Sequence, residues 1–147
     1  MFKRVLIPTD GSKLSRKSIK AGVRLAKKLG ARVIGYYAME SMQPYVYTDG
    51  YIISTAMLKD FEERARGLGR KYLAEVEKAA KAARVPCDTL ITKPATPAQG
   101  IIDAARKKRC DVVFMASHGR GELATLVLGS VTQKVLARSR IPVLVFR

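Results

Sequence analysis

The chain is 147 residues long and carries 28 lysines and arginines against 12 aspartates and glutamates, a formal charge of +16. That length buries about 70% of the surface the unfolded chain exposes, so one domain with one core is expected, without a disulfide or structural metal. Two cysteines and one histidine do not make a zinc set, no apolar stretch approaches the roughly 18 residues of a membrane helix, and the opening apolar run is too short for a signal peptide, so a cytoplasmic protein is expected.

Val5, Leu6 and Ile7 form a run too continuous for a half-exposed strand. It suits a central parallel strand covered on both faces, ending at Pro8. Ser12 or Ser15 caps a helix whose apolar stripe is Ile19, Val23, Ala26 and Leu29, closed by Gly30. Lys13, Arg16, Lys17, Lys20, Arg24, Lys27 and Lys28 lie mostly off that stripe, with no acid among them. A second strand is predicted over 31–39. An irregular stretch with Pro44, Asp49 and Gly50 then leads to a long helix, where Leu58, Phe61, Ala65, Leu68, Tyr72, Val76, Ala79 and Ala83 keep three-and-four spacing. Gly67 and Gly69 each weaken its middle by about 1 kcal/mol relative to alanine, which leaves room for a bend, and Pro86 is read as the stop.

Residues 87–93 make a short third strand. Thr96 and Pro97 supply a cap and a first-turn proline for a helix over 98–108, and 111–117 is a buried fourth strand. Cys87 and Cys110 precede these strands and read as buried thiols. After a glycine-rich loop, 130–139 reads as a last helix with Val131, Val135 and Leu136 inward, and IPVLVFR as a fifth strand. Strand and helix alternate throughout, which calls for a doubly wound α/β sheet with right-handed crossovers.

Such sheets bind ligands beyond the carboxyl ends of their strands. Those ends deliver Pro8, Thr9 and Asp10; Tyr37, Ala38 and Met39; and Ala116, Ser117, His118 and Gly119. Gly119, nine further residues, then Gly129 and Ser130 at a helix start describe a two-point phosphate cradle, because glycine backbones admit close approach and helix N-termini offer N–H donors. Asp10 is placed either to accept hydrogen bonds from ribose hydroxyls or to hold the Asp-Gly-Ser turn. His118 is read equally as a phosphate contact or as a loop residue bonded to backbone.

No Walker-type phosphate loop is present, and Gly119-Arg120-Gly121-Glu122-Leu123-Ala124 matches the dinucleotide fingerprint only by accident, lacking the helix and acid that should follow. Arg120 and Glu122 come with no general base or metal-holding carboxylate pair, so a binding protein with slow or no turnover is expected. Tyr36, Tyr37, Tyr45, Tyr47 and Tyr51 cluster between the second strand and the long helix, and read as packing under a loop, a lid or a partner surface.

The segments VLIPTDGS, ASHGRGELATLVLGSVTQKVL and IPVLVF together resemble the universal stress protein family. The resemblance covers essentially the whole chain. It implies a five-stranded parallel sheet in the order 3-2-1-4-5 with helices on both faces, and a homodimer formed by antiparallel pairing of the last strand. It also implies binding of ATP or another adenine nucleotide, with a magnesium ion accompanying ATP without being a fixed cofactor. Many members carry G-x2-G-x9-G-[ST] for this purpose, and a second group lacks it. This chain matches at Gly119, Gly129 and Ser130, with Ala116 in the first place. A methyl group fits there if the backbone is in the β region.

By the same resemblance Asp10 falls where the family contacts ribose or adenine, Ala38 where backbone meets the base, and Val131 where an N–H meets phosphate. The nucleotide-binding candidates are thus Pro8, Thr9, Asp10, Ala38, Ala116, His118, Gly119, Arg120, Gly129, Ser130 and Val131, with no catalytic or metal-binding residue. The implied role is a stress-response module that senses adenine nucleotide and is read by a protein partner. The alternative is a nucleotide-independent interaction protein whose basic face, including Lys17, Lys20 and Arg24, meets an acidic partner, with nucleic acid one candidate. Nucleic acid is not the expected partner, because no docking module or paired aromatic platform is seen.

Overall fold

The computed structural model describes residues 1–40, 54–119 and 128–147. Its strands are β1 (Arg4–Pro8), β2 (Arg32–Ala38), β3 (Cys87–Thr92), β4 (Val112–Ala116) and β5 (Val143–Phe146). They form one all-parallel sheet in the order β3-β2-β1-β4-β5. The helices are α1 (Lys13–Leu29), α2 (Thr55–Ala83), α3 (Pro97–Lys107) and α4 (Ser130–Arg138).

Strand pleating sends alternate residues to opposite faces. Val5 and Ile7 join the core under α1 and α2, while Leu6 joins the one under α3 and α4. β1 therefore supplies both layers with consecutive apolar residues, which is why it reads as an unbroken run. The same pleat separates two tyrosines of β2: Tyr37 packs edge-on against Tyr72 of α2, and Tyr36 is buried on the α3 side. These two are core residues; Tyr45, Tyr47 and Tyr51 lie outside the described residues.

Local signals decide the helix starts. Side-chain oxygens of Ser12, Ser54 and Thr96 accept from the backbone N–H three residues on, capping α1, α2 and α3. Gly30 closes α1 in the left-handed conformation expected of a helix-stop glycine. The end of α2 departs from expectation. Its stop is Arg84, held left-handed at φ 57°, with Pro86 two residues beyond the cap. α2 is assigned as one helix through Gly67 and Gly69. In α4, Leu136 is exposed and Thr132 takes the inward place beside Val135. A hydroxyl is tolerated there because it donates to the Ala116 carbonyl.

No described helix is long and apolar enough to cross a membrane. Cys87 is half-buried and Cys110 buried, and both are free thiols.

Candidate functional site

The carboxyl ends of β1, β2 and β4, together with the first turns of α3 and α4, enclose a cavity of about 290 Å³. Nine of the eleven candidate residues line it: Pro8, Thr9, Asp10, Ala38, Ala116, His118, Gly119, Ser130 and Val131. Gly129 is not among the lining residues. Its N–H donates to the Ser117 carbonyl at 2.7 Å and so seats the start of α4 against the end of β4. Arg120 and Glu122 lie outside the described residues.

Each side chain at the polar end is held by its own segment. Thr9 Oγ1 accepts from the Ser15 hydroxyl at 2.8 Å and from the Gly11 N–H at 3.2 Å, which ties the strand end to the first turn of α1. Asp10 Oδ1 accepts from the Ser12 N–H at 2.9 Å. Its carboxylate thus holds the Asp-Gly-Ser turn. The other oxygen, Oδ2, lies 2.6 Å from where a Cβ on Gly119 would sit. A side chain at 119 would have to push that carboxylate aside, so glycine is favoured by that contact and not by a left-handed backbone: among the described residues positive φ occurs only at Gly11, Gly30, Arg84 and Arg109.

The same observation settles the backbone at Ala116, the last residue of β4, where φ is not positive. A methyl group therefore sits there without backbone strain. His118 turns one ring nitrogen, Nδ1, to the Ser117 hydroxyl at 3.1 Å. Ser117 itself is buried and its N–H is bonded to the Phe146 carbonyl.

The opposite end of the cavity is apolar. Tyr36, Ile101 and Met115 supply it, with Pro97 at the start of α3. The Tyr36 hydroxyl shares a 2.8 Å hydrogen bond with Thr92 Oγ1. Burial pushes its pKa up, the Thr92 bond pulls the other way, and the Asp103 carboxylate adds a further push upward, so the phenol stays neutral. Gly100 lets α3 close over this ring, because any Cβ there would strike the Tyr36 hydroxyl and Pro94.

Sequence reasoning missed Tyr36, Pro97 and Ile101 as lining residues, along with Glu40 just past β2. The signal for the two α3 residues was available: right-handed crossovers put α3 on the same face as α4, so both helix starts overhang the same strand ends. Among the described residues no cluster of three or more histidine, cysteine, aspartate or glutamate side chains is suited to a metal ion.

The universal stress protein family model matches residues 1–147. The chain belongs to the universal stress protein family. Among curated universal stress proteins, one from Thermus aquaticus is 32% identical over the whole of both chains. MJ0531 of Methanocaldococcus jannaschii is 29% identical over all of this chain and 83% of its own. Among solved structures, MJ0577 of the same organism superposes with a TM-score of 0.83 at 23% identity, covering 99% of this chain and 95% of its own. A universal stress protein in complex with cAMP shares the fold at TM-score 0.68 and 23% identity, covering 99% and 97% of the two chains. One from Archaeoglobus fulgidus in complex with dAMP does so at 0.70 and 11%, covering 100% and 98%. The present protein shares the doubly wound fold of these structures.

Proposed function

We propose that this universal stress protein binds ATP or another adenine nucleotide in the cavity at the strand ends and acts as a regulatory module in the stress response. The carrying observation is the start of α4. The other three helices are capped by a serine or threonine side chain, whereas α4 begins at Gly129 with no side-chain cap, over the polar end of the cavity. A helix N-terminus without a side-chain cap suits an anion, because its first-turn N–H groups and the helix dipole favour negative charge there. Ser130 and Val131 then receive phosphate, Gly119 gives it room and His118 flanks it, while Gly129, its N–H bonded to Ser117, fixes where α4 starts; Arg120 remains a phosphate candidate by its sequence position alone. Pro8 and Thr9 wall the sugar, Asp10 accepts from ribose hydroxyls, Ala116 packs against the sugar, and the Ala38 backbone meets the base beside the apolar end. The cAMP and dAMP complexes of fold relatives support an adenine ligand. A magnesium ion enters only with ATP, held by its phosphates.

The same reading includes a homodimer through β5 and a protein partner that reads nucleotide occupancy. β5 is a sheet edge, paired on one side with β4, and Leu144 is exposed on it. An edge of that kind is covered in stable proteins, and antiparallel pairing with a second copy covers it.

Titration calorimetry of nucleotide-stripped protein with ATP, with and without magnesium, tests the site at moderate salt, where the positive charge does not mimic one. The expected result is saturable binding of one ATP per chain, stronger than that of tripolyphosphate. Gly129→Asp puts a carboxylate where phosphate would sit, yet aspartate is a good helix cap, so the fold is retained. ATP affinity should fall by at least about tenfold, or 1.4 kcal/mol. Unchanged affinity in a folded Gly129→Asp variant removes the cradle from the proposal, and absence of saturation in calorimetry and a second binding assay removes the nucleotide.

A further inference from the structure

The outward face of α1 is a feature the nucleotide reading does not use. At about 100° per residue, Lys13, Lys17, Lys20, Arg24 and Lys27 fall within an arc of about 80°, on the side away from Ile19, Gly22 and Ala26. All five are exposed. From first to last they span about 21 Å, in steps of about 4.5 to 6 Å. They form a straight, single-file row of cations on a rigid helix.

The row is uncompensated. Three cations elsewhere are paired within their own helices, Arg64 with Asp60 and Arg66 with Glu62 in α2, and Arg106 with Asp103 in α3. The sequence of α1 contains no acid at all, and its one ion pair among the described residues is Arg16 with Glu75 of α2, beside the row. None of the five row residues joins an ion pair among the described residues. Like charges three and four residues apart weaken a helix, and an anionic partner laid along the row relieves that repulsion.

We propose that this face of α1 docks on the phosphate backbone of duplex nucleic acid without regard to sequence. A duplex carries about one charge per 1.7 Å of its axis, so about 21 Å of contact offers on the order of 12 phosphates to five cations. No aromatic side chain or amide stands in the row, which leaves no platform for stacked bases and favours backbone contact. A membrane surface fits less well. An interfacial helix inserts its apolar face, and Ile19, Val23 and Ala26 of α1 are already in the core. Docking of this kind needs no dedicated recognition module.

Fluorescence anisotropy with a labelled mixed-sequence duplex of about 20 base pairs tests the proposal between 50 and 200 mM salt. Five phosphate contacts predict that wild-type affinity falls by about 500-fold over that range, and two contacts by about tenfold. Lys17→Gln, Lys20→Gln and Arg24→Gln combined should show the shallower dependence. A control combining Lys107→Gln, Lys134→Gln and Arg138→Gln removes the same charge from exposed positions on the other face of the sheet, and should keep the steep one. Gly129→Asp should leave duplex binding unchanged, which separates this surface from the nucleotide site. Equal loss in both triple variants, or no duplex binding at the low-salt end, overturns the proposal. Binding to phosphatidylserine vesicles that depends on the row, with no row-dependent duplex binding, overturns it in favour of a membrane surface.

Discussion

Gly119 shows how a motif residue can be legible while its reason is not. The spacing to Gly129 marks it as special, and the expected ground is close approach of its backbone to a ligand. The structure gives another: Asp10, more than a hundred residues earlier, places a carboxylate oxygen where a side chain would begin. That contact joins β1 to the loop after β4, and only pairing of the two strands brings it about. Cys110 is buried as the sequence suggests and Cys87 only half so, and the burial of both has a measurable sign. Both thiols are pushed up to about 11, first by burial and next by a nearby carboxylate, Glu77 for Cys87 and Asp111 for Cys110. The unfolded chain therefore loses these protons first as pH rises through 9, and stability should decline between about pH 9 and 11 while staying unaffected by them below about pH 8. Urea unfolding at pH 7.5 and 10, compared with a Cys87→Ser/Cys110→Ala variant, isolates that contribution, which vanishes in the variant.

Among elements, α2 separates what periodicity reveals from what it hides. Its apolar spacing announces a long helix, and its two glycines look equivalent in sequence. They are not. A Cβ on Gly67 meets nothing within 4 Å, whereas one on Gly69 falls 2.5 Å from Tyr37 Cδ1 and 3.1 Å from Ile91 Cδ1. Gly69 is where the helix backbone comes down on the sheet. Gly67→Ala should stabilise the protein by about 0.5–1 kcal/mol, and Gly69→Ala should destabilise it by about 1–3 kcal/mol through overpacking. Denaturant midpoints at constant m-value decide both. The stop of α2 was placed at Pro86 from sequence because proline is the stronger symbol, yet Arg84 already turns left-handed and its N–H closes on Ala80 and Lys81. α4 shows the same limit, since the inward place of Thr132 depends on a carbonyl from β4 that no window around residue 132 contains.

For the whole molecule, strand and helix alternation was enough to predict a doubly wound parallel sheet, while the family resemblance supplied the strand order seen. The cavity followed from strand ends, but its apolar wall did not, because Ile101 and Pro97 arrive through a crossover. The proposed dimer makes a prediction at this scale: Leu144→Lys, a charge on the outward face of an edge strand, should shift the protein from dimer to monomer in sedimentation equilibrium while leaving ATP affinity in place. A monomeric wild type would remove β5 pairing from the picture. The two bonds that seat α4 on β4, Gly129 N–H to Ser117 and Thr132 hydroxyl to Ala116, have a consequence for how this protein can change. They fasten the two ends of 120–127 to one another through neighbours outside that segment. The strand end and the first turn of α4 are therefore held at one separation by bonds among the described residues, so the two sides of the proposed phosphate site keep a fixed gauge.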